Sequence, residues 1–193
     1  EAAEAANLQA IIMARDLSNV GITVNCTPVL DLRFEKTHKI IGDRSFGSNP
    51  STVARLGREV CLGCLQGGVL PVIKHIPGHG RAIVDSHESL PTIKTSADLL
   101  NKLDFLPFSQ LAGMPWAMTA HIIYDKIDQN FPATQSKIII EKIIRDDFGF
   151  DGVLVSDDIS MKALSGRLGE RAETSLSAGC DLVLHCNGDF REM

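Results

Sequence analysis

The sequence predicts an α/β fold built on a parallel sheet. Strand-like and helix-like segments alternate five times along the 193 residues, the order that lays strands in parallel with helical crossovers between them. The strand-like segments are short, continuous apolar runs rather than alternating ones, as strands buried on both faces are. A third observation places the chemistry, because polar residues gather where these runs end. Asp31 follows the first. Lys74 and His75 end the second, and His121 ends the third. Asp157 and Asp158 follow the fourth, and His185 and Asn187 the last. Active sites of barrels and of open α/β sheets form at the C-terminal ends of strands.

Each element has its own warrant. Residues 2–18 carry apolar positions at helical spacing through Ile11, Ile12 and Leu17. Gly21 precedes a β-branched run over 22–30, read as the first strand, and residues 31–50 form a polar loop. Ser51 reads as the N-cap of a helix over 52–66 that Gly67 and Gly68 close. Residues 69–75 read as a strand and 76–95 as a long loop rich in Gly, His and Asp. A helix over 96–112 is expected to break near Pro107. A strand over 116–121, a loop over 122–134 and a helix over 135–147 follow. The last unit comprises a strand over 153–156, helices over 159–164 and 169–178, and a strand over 181–185.

The chain, of 20.9 kDa, reads as one domain over residues 1–193. With 44 % apolar and 22 % charged residues it is neither collagen-like nor disordered. No apolar run approaches the ~18 residues of a membrane-spanning helix, so no membrane partner is expected. The net charge is −5, the basic residues are scattered and aromatics make up 5 %, which disfavours nucleic-acid binding. Five cysteines without a dense framework suggest a reducing compartment. Cys61 and Cys64 form a C-x-x-C inside an apolar helical pattern and read as packing residues. Nothing in the sequence sets an oligomeric state. Both ends read as cut, EAAEAANLQA being mid-helix in character and FREM lacking a closing element. A barrel takes eight strands and about 250 residues. The five units therefore read as an open sheet, or as the later part of a barrel whose first strands are absent.

Three segments could carry chemistry. Lys74-His75-Ile76-Pro77-Gly78-His79-Gly80 and then Asp85-Ser86-His87 concentrate imidazoles, an amine and a carboxylate around a Gly/Pro backbone suited to tight turns. Asp85 and His87, two residues apart, point the same way in an extended stretch. A carboxylate there would orient the imidazole and raise its pKa, as a general acid/base needs. In the run 153–161 an apolar strand delivers Asp157 and Asp158 to its C-terminal end. Asp157 reads as a nucleophile or metal ligand, and Asp158 as the structural cap of a following helix. On the Gly-bounded loop 42–47, Arg44 could fork onto ligand oxygens. These residue types leave several chemistries open. Lys74 could form a Schiff base. His75, His79, His87, His121 and Asp157 could hold a metal, although no H-x-H or H-E-x-x-H spacing is present. A non-catalytic sugar-binding module is a third reading.

KHIPGHG followed by DSH, with GDRSFG upstream and GFDGVLVSDDISM downstream, resembles family 3 glycoside hydrolases, most closely the bacterial β-N-acetylhexosaminidases of peptidoglycan recycling. PVLDL at 28–32, MTAHIIYDKID at 118–128 and AGCDLVLHCN at 178–187 extend the likeness over nearly the whole chain. Ile76 stands where the family usually has Phe, and Asp43 where it has Glu. The resemblance implies a single-domain (β/α)8 barrel, here with only about five βα units, the first strands lying in further residues before Glu1. It implies hydrolysis of terminal non-reducing β-linked N-acetylglucosamine with retention, on a muropeptide-derived carbohydrate, in the cytoplasm. Asp157 would be the nucleophile, His87 the general acid/base and Asp85 its partner. Arg44, Lys74 and His75 would bind the sugar. No metal or cofactor is implied.

Overall fold

The computed structural model describes residues 1–35, 37–86 and 88–193. A five-stranded, all-parallel sheet organises it, built from β1 (Val24–Asn25), β2 (Leu70–Ile76), β4 (Trp116–Thr119), β6 (Val153–Asp158) and β7 (Leu182–Leu184), side by side in that order. The order never reverses along the sequence, so each crossover advances the sheet the same way. That is the winding of a barrel wall and not of a doubly wound sheet, whose strand order turns back at a switch point. A second, two-stranded parallel sheet joins β3 (Thr92–Ile93) to β5 (Ile123–Tyr124).

The strand faces divide by alternation. Ile73, Ala117 and Leu154 lie in register across β2, β4 and β6 and are buried in the main core. Against them pack Val53, Ala54 and Cys61 of α2 (Pro50–Gln66) and Ile139, Ile140, Ile143 and Ile144 of the π-helix Ile138–Asp147. Each fully buried Ile, Leu or Phe contributes about 1.5–3 kcal/mol from removal of its surface from water. The opposite face carries a smaller cluster of Val72, Met118 and Val155. The helix α1 (Ala2–Asn19) packs outside α2. Cys61 and Cys64 are buried in α2, and burial pushes the Cys61 thiol up to about 12.

Several elements differ from the expectations above. The first strand, expected over 22–30, pairs only at Val24–Asn25, with a single further bridge from Val29 to Lys74. Pro28 has no N–H, and the Thr27 N–H turns back onto the Asn25 carbonyl at 2.8 Å, so the ladder breaks there. The cap of α2 is Asn49 and not Ser51, because Pro50 occupies the first helical turn and Asn49 Oδ1 accepts from Thr52 N at 2.9 Å. The helix expected over 96–112 is two short ones, α3 (Ala97–Lys102) and α4 (Leu106–Gln110), with Pro107 in the first turn of the second. Residues 159–164 form turns, not a helix, because the Asp158 carboxylate takes up the N–H and hydroxyl of Ser160 in a local turn. α5 (Leu168–Ser177) then begins the last crossover.

Candidate active site

The site is built where β2, β4 and β6 end. Lys74, Met118 and Val155 are in register across these strands, which puts Lys74 on the face opposite the helix-covered core. Asp157, two residues beyond Val155 on β6, shares that face. Burial draws the Lys74 amine below the usual lysine range and the Arg44 charge adds to this, while Cys26, Asp157 and Asp31 work against it. Asp157 is half-buried and its Oδ1 accepts from Asp158 N at 2.8 Å. Burial works to raise its carboxyl, but the charges of His75 and His121 and the Asp158 N–H outweigh burial and hold it below the usual range. Asp157 is therefore an ionised carboxylate at the end of its strand at neutral pH, the state a nucleophile needs.

A carboxylate–imidazole pair also stands in this site, and it is one that spacing alone did not show. Asp31 is fully buried, and its Oδ2 accepts from His75 Nδ1 at 2.7 Å. Its Oδ1 accepts from the His79 backbone N–H at 2.6 Å. Burial works to raise the Asp31 carboxyl, and the His75 charge and hydrogen bond, with His79, bring it below the usual range. With Nδ1 donating to Asp31, the other ring nitrogen of His75 is the one left for chemistry at the site. The sequence signal for Asp31 was its place after the first strand; its partner lies 44 residues away and could not be assigned from spacing.

His79 and His121 serve differently. His79 is buried, and burial together with the His75 charge pushes its imidazole down to about 4. Its Nε2 meets Ser86 Oγ at 3.2 Å. His121 is wholly buried between Thr134 Oγ1 at 2.8 Å and the Asp158 carbonyl at 3.0 Å, and burial lowers its pKa. Asp158 is structural, but it caps no helix. Its Oδ1 accepts from Ser160 N at 2.9 Å and from Cys186 N at 3.0 Å, tying the end of β6 to the chain after β7. Among the described residues no three or more His, Cys, Asp or Glu side chains are grouped to hold a metal ion.

The loop after β2 is held close to the sheet by its glycines. Gly78 has φ +145°, and a Cβ on Gly80 would stand 2.0 Å from the Leu32 carbonyl oxygen. The Tyr124 hydroxyl donates to the Gly78 carbonyl at 2.6 Å, and the Thr37 hydroxyl to that of Gly80 at 2.6 Å. Arg81 Nε donates to Asp104 Oδ2 at 2.8 Å, with its guanidinium 4.2 Å above the Phe34 ring. Asp85 is half-buried, and its carbonyl accepts from Glu88 N and Ser89 N, both at 3.0 Å. His87 lies outside the described residues. Arg44 ends a short 3₁₀ turn, Gly42–Arg44, and is exposed, its Nε donating to the Ile40 carbonyl at 2.8 Å. The structure thus brings Lys74, His75 and Asp157 to one end of the sheet, with the Arg44 charge felt at Lys74.

The model of the glycosyl hydrolase family 3 N-terminal domain matches residues 1–193. A β-hexosaminidase of Neisseria gonorrhoeae is 43 % identical over 180 residues, covering 91 % of this chain and 49 % of its own length. The crystal structure of NagZ from Neisseria gonorrhoeae in complex with N-trifluoroacetyl-D-glucosamine superposes with a TM-score of 0.89 at 42 % identity, covering 96 % of this chain and 53 % of that one. A family 3 β-N-acetylglucosaminidase from Paenibacillus sp. superposes with a TM-score of 0.91 at 37 % identity, covering 95 % of this chain and 36 % of that one. The chain spans about half the length of the curated relatives it matches. Its parallel sheet is part of a (β/α)8 barrel.

Proposed function

The chain belongs to glycosyl hydrolase family 3, and from that premise we propose that residues 1–193 are a single, partial catalytic barrel domain of a retaining β-N-acetylhexosaminidase. The substrate is a carbohydrate ending in non-reducing β-linked N-acetylglucosamine, of the kind released from peptidoglycan as muropeptides. We propose the cytoplasm as its compartment, on the resemblance to enzymes of peptidoglycan recycling alone. No helix among the described residues is long and apolar enough to cross a membrane.

The observation that carries this reading is Asp157. It is a half-buried carboxylate at the C-terminal end of β6, kept ionised by two imidazoles and a backbone N–H. In the proposed first step an Asp157 oxygen attacks the anomeric carbon, and the bond from that carbon to the glycosidic oxygen breaks. His87 gives its proton to the departing oxygen. In the second step His87 takes a proton from water, whose oxygen attacks the same carbon and expels Asp157. Two inversions give net retention. Most retaining enzymes use a carboxylic acid for the proton, which requires a strongly raised pKa at neutral pH. An imidazole partnered by Asp85 titrates there with little help. Arg44, Lys74 and His75 hold the sugar hydroxyls and acetamido group, with Asp31 fixing the ring of His75.

The test is release of an aryl group from an aryl β-N-acetylglucosaminide by the full-length protein and by its Asp157→Ala variant. The expected loss is on the order of 10⁴-fold or more, the scale on which removal of a nucleophile acts. Turnover within tenfold of wild type would sink the assignment.

A further inference from the structure

Asp85 and His87, read above as the acid/base pair, flank Ser86 in the chain. Ser86 is 3 % exposed and its hydroxyl is turned inward, onto Nε2 of His79 at 3.2 Å. His79 in turn gives its backbone N–H to Asp31 at 2.6 Å. Asp31 is the same carboxylate that holds the ring of His75 at 2.7 Å. A continuous chain of hydrogen bonds therefore runs from the sugar-binding imidazole, through Asp31 and His79, to the residue between the two members of the acid/base pair. The stem of the loop is pinned independently, by Tyr124 at Gly78, Thr37 at Gly80, Asp104 at Arg81 and the His38 N–H at the Ala82 carbonyl. Beyond Ala82, the Ser86 hydroxyl reaches inward to this network through its bond to His79. The exposed Ile83 and Val84 between the two anchors face solvent.

We propose that Ser86 is a positioning residue, and that its hydroxyl, latched on His79, sets the place of the acid/base pair relative to the sugar-binding wall. The inference rests on the reading of Asp85 and His87 as that pair. General acid/base catalysis contributes on the order of 10²–10⁴-fold, and a displacement of about 1 Å can forfeit up to ~10² of such a contribution. Removing the latch therefore costs proton transfer first. Proton donation matters most when the leaving group is poor, so the defect is selective for the substrate.

The experiment measures kcat/KM, which reports the glycosylation step, on a methyl and on a dinitrophenyl β-N-acetylglucosaminide with the full-length protein. Ser86→Ala removes one buried oxygen and leaves the backbone free to fold, which a melting curve verifies. The expected result is a fall of tenfold or more on the methyl glycoside and less than threefold on the dinitrophenyl glycoside. Equal losses on both substrates would mean a general structural role and overturn the proposal, as would no loss on either. His87→Ala, run alongside, tests the underlying reading. If that variant shows no dependence on the leaving group, the acid/base assignment fails. If it does, and Ser86→Ala behaves as wild type, the assignment stands and the latch alone is refuted.

Discussion

Asp31, fully buried, and His75, largely buried, form a carboxylate–imidazole pair, 2.7 Å from Oδ2 to Nδ1, although 44 residues separate them in sequence. The pair joins the chain that leaves β1 to the end of β2 and fixes which nitrogen of His75 is available to a ligand. Asp31 also accepts from the His79 N–H, so one side chain organises both the imidazole at the site and the loop above it. A carboxylate in this place is compensated on both oxygens, which is what makes its burial tolerable.

Replacing Asp31 by Asn keeps the shape and removes the charge. The expected cost is about 3 kcal/mol of stability at neutral pH, the range for breaking a buried pair by losing one partner. The pH dependence has a definite sign. The folded-state pKa of Asp31 lies below its ordinary 3.8, so its contribution is fully present above that value and is lost as pH falls through the folded pKa. Urea denaturation of both proteins at pH 7 and near pH 3 checks this. The gap is wide at pH 7 and narrows in acid; a constant gap would mean that charge is not what the variant removes.

Lys74 distinguishes sugar binding from covalent amine chemistry. Its amine is drawn down by burial, a feature not apparent from a lysine followed by histidine in the sequence. A lowered pKa is compatible with a Schiff base, so the outcome of substitution matters. Lys74→Ala is expected to raise KM by about 10-fold or more while kcat falls less, as for loss of a charge-assisted hydrogen bond worth roughly 1.5–3 kcal/mol. Borohydride in the presence of substrate should leave the intact mass unchanged. Complete loss of turnover together with a trapped adduct would reverse the assignment.

What was legible in the sequence follows from locality. β2, β4 and β6 were readable because strands buried on both faces are continuous apolar runs, β7 because it is a short apolar run although partly exposed, and Lys74, His75 and Asp157 because they end such runs. The ladder of β1 was not, because a β-branched run hides the interruption that Pro28 imposes. Two caps were misjudged for one reason: a serine or an aspartate before an apolar stretch signals a cap, but a neighbour can take the role. Pro50 gave it to Asn49, and Asp158 spent its carboxylate on Ser160 and Cys186. Asp31, Ser86, Tyr124 and Thr37 act through partners brought together only by the fold. No spacing rule reaches a hydroxyl on Tyr124 that holds the carbonyl of Gly78.

His79 makes the site's acid sensitivity measurable apart from catalysis. Burial and the neighbouring His75 charge push its pKa from 6.5 to about 4, against the weaker pull of Asp31 and Asp157. Between these values the unfolded chain binds a proton that the folded chain refuses, so stability falls as pH drops through that window. Nothing is lost from this source above pH 6.5, and the whole contribution is gone below about pH 4. Going from pH 7.5 to pH 5 costs on the order of 2 kcal/mol from His79 alone. His121, also lowered by burial, adds to the slope in the same direction. Asp31 and Asp157 add theirs only at lower pH, because both carboxyls are held below the usual range. His79→Gln carries no titrating group and can still offer an amide to Ser86, so its stability is expected to fall less over the same interval. Urea midpoints at pH 7.5, 6 and 5 for the two proteins decide the matter: parallel curves would show that His79 is already protonated in the folded chain at pH 5, and converging curves that its burial as a neutral imidazole is what acid undoes.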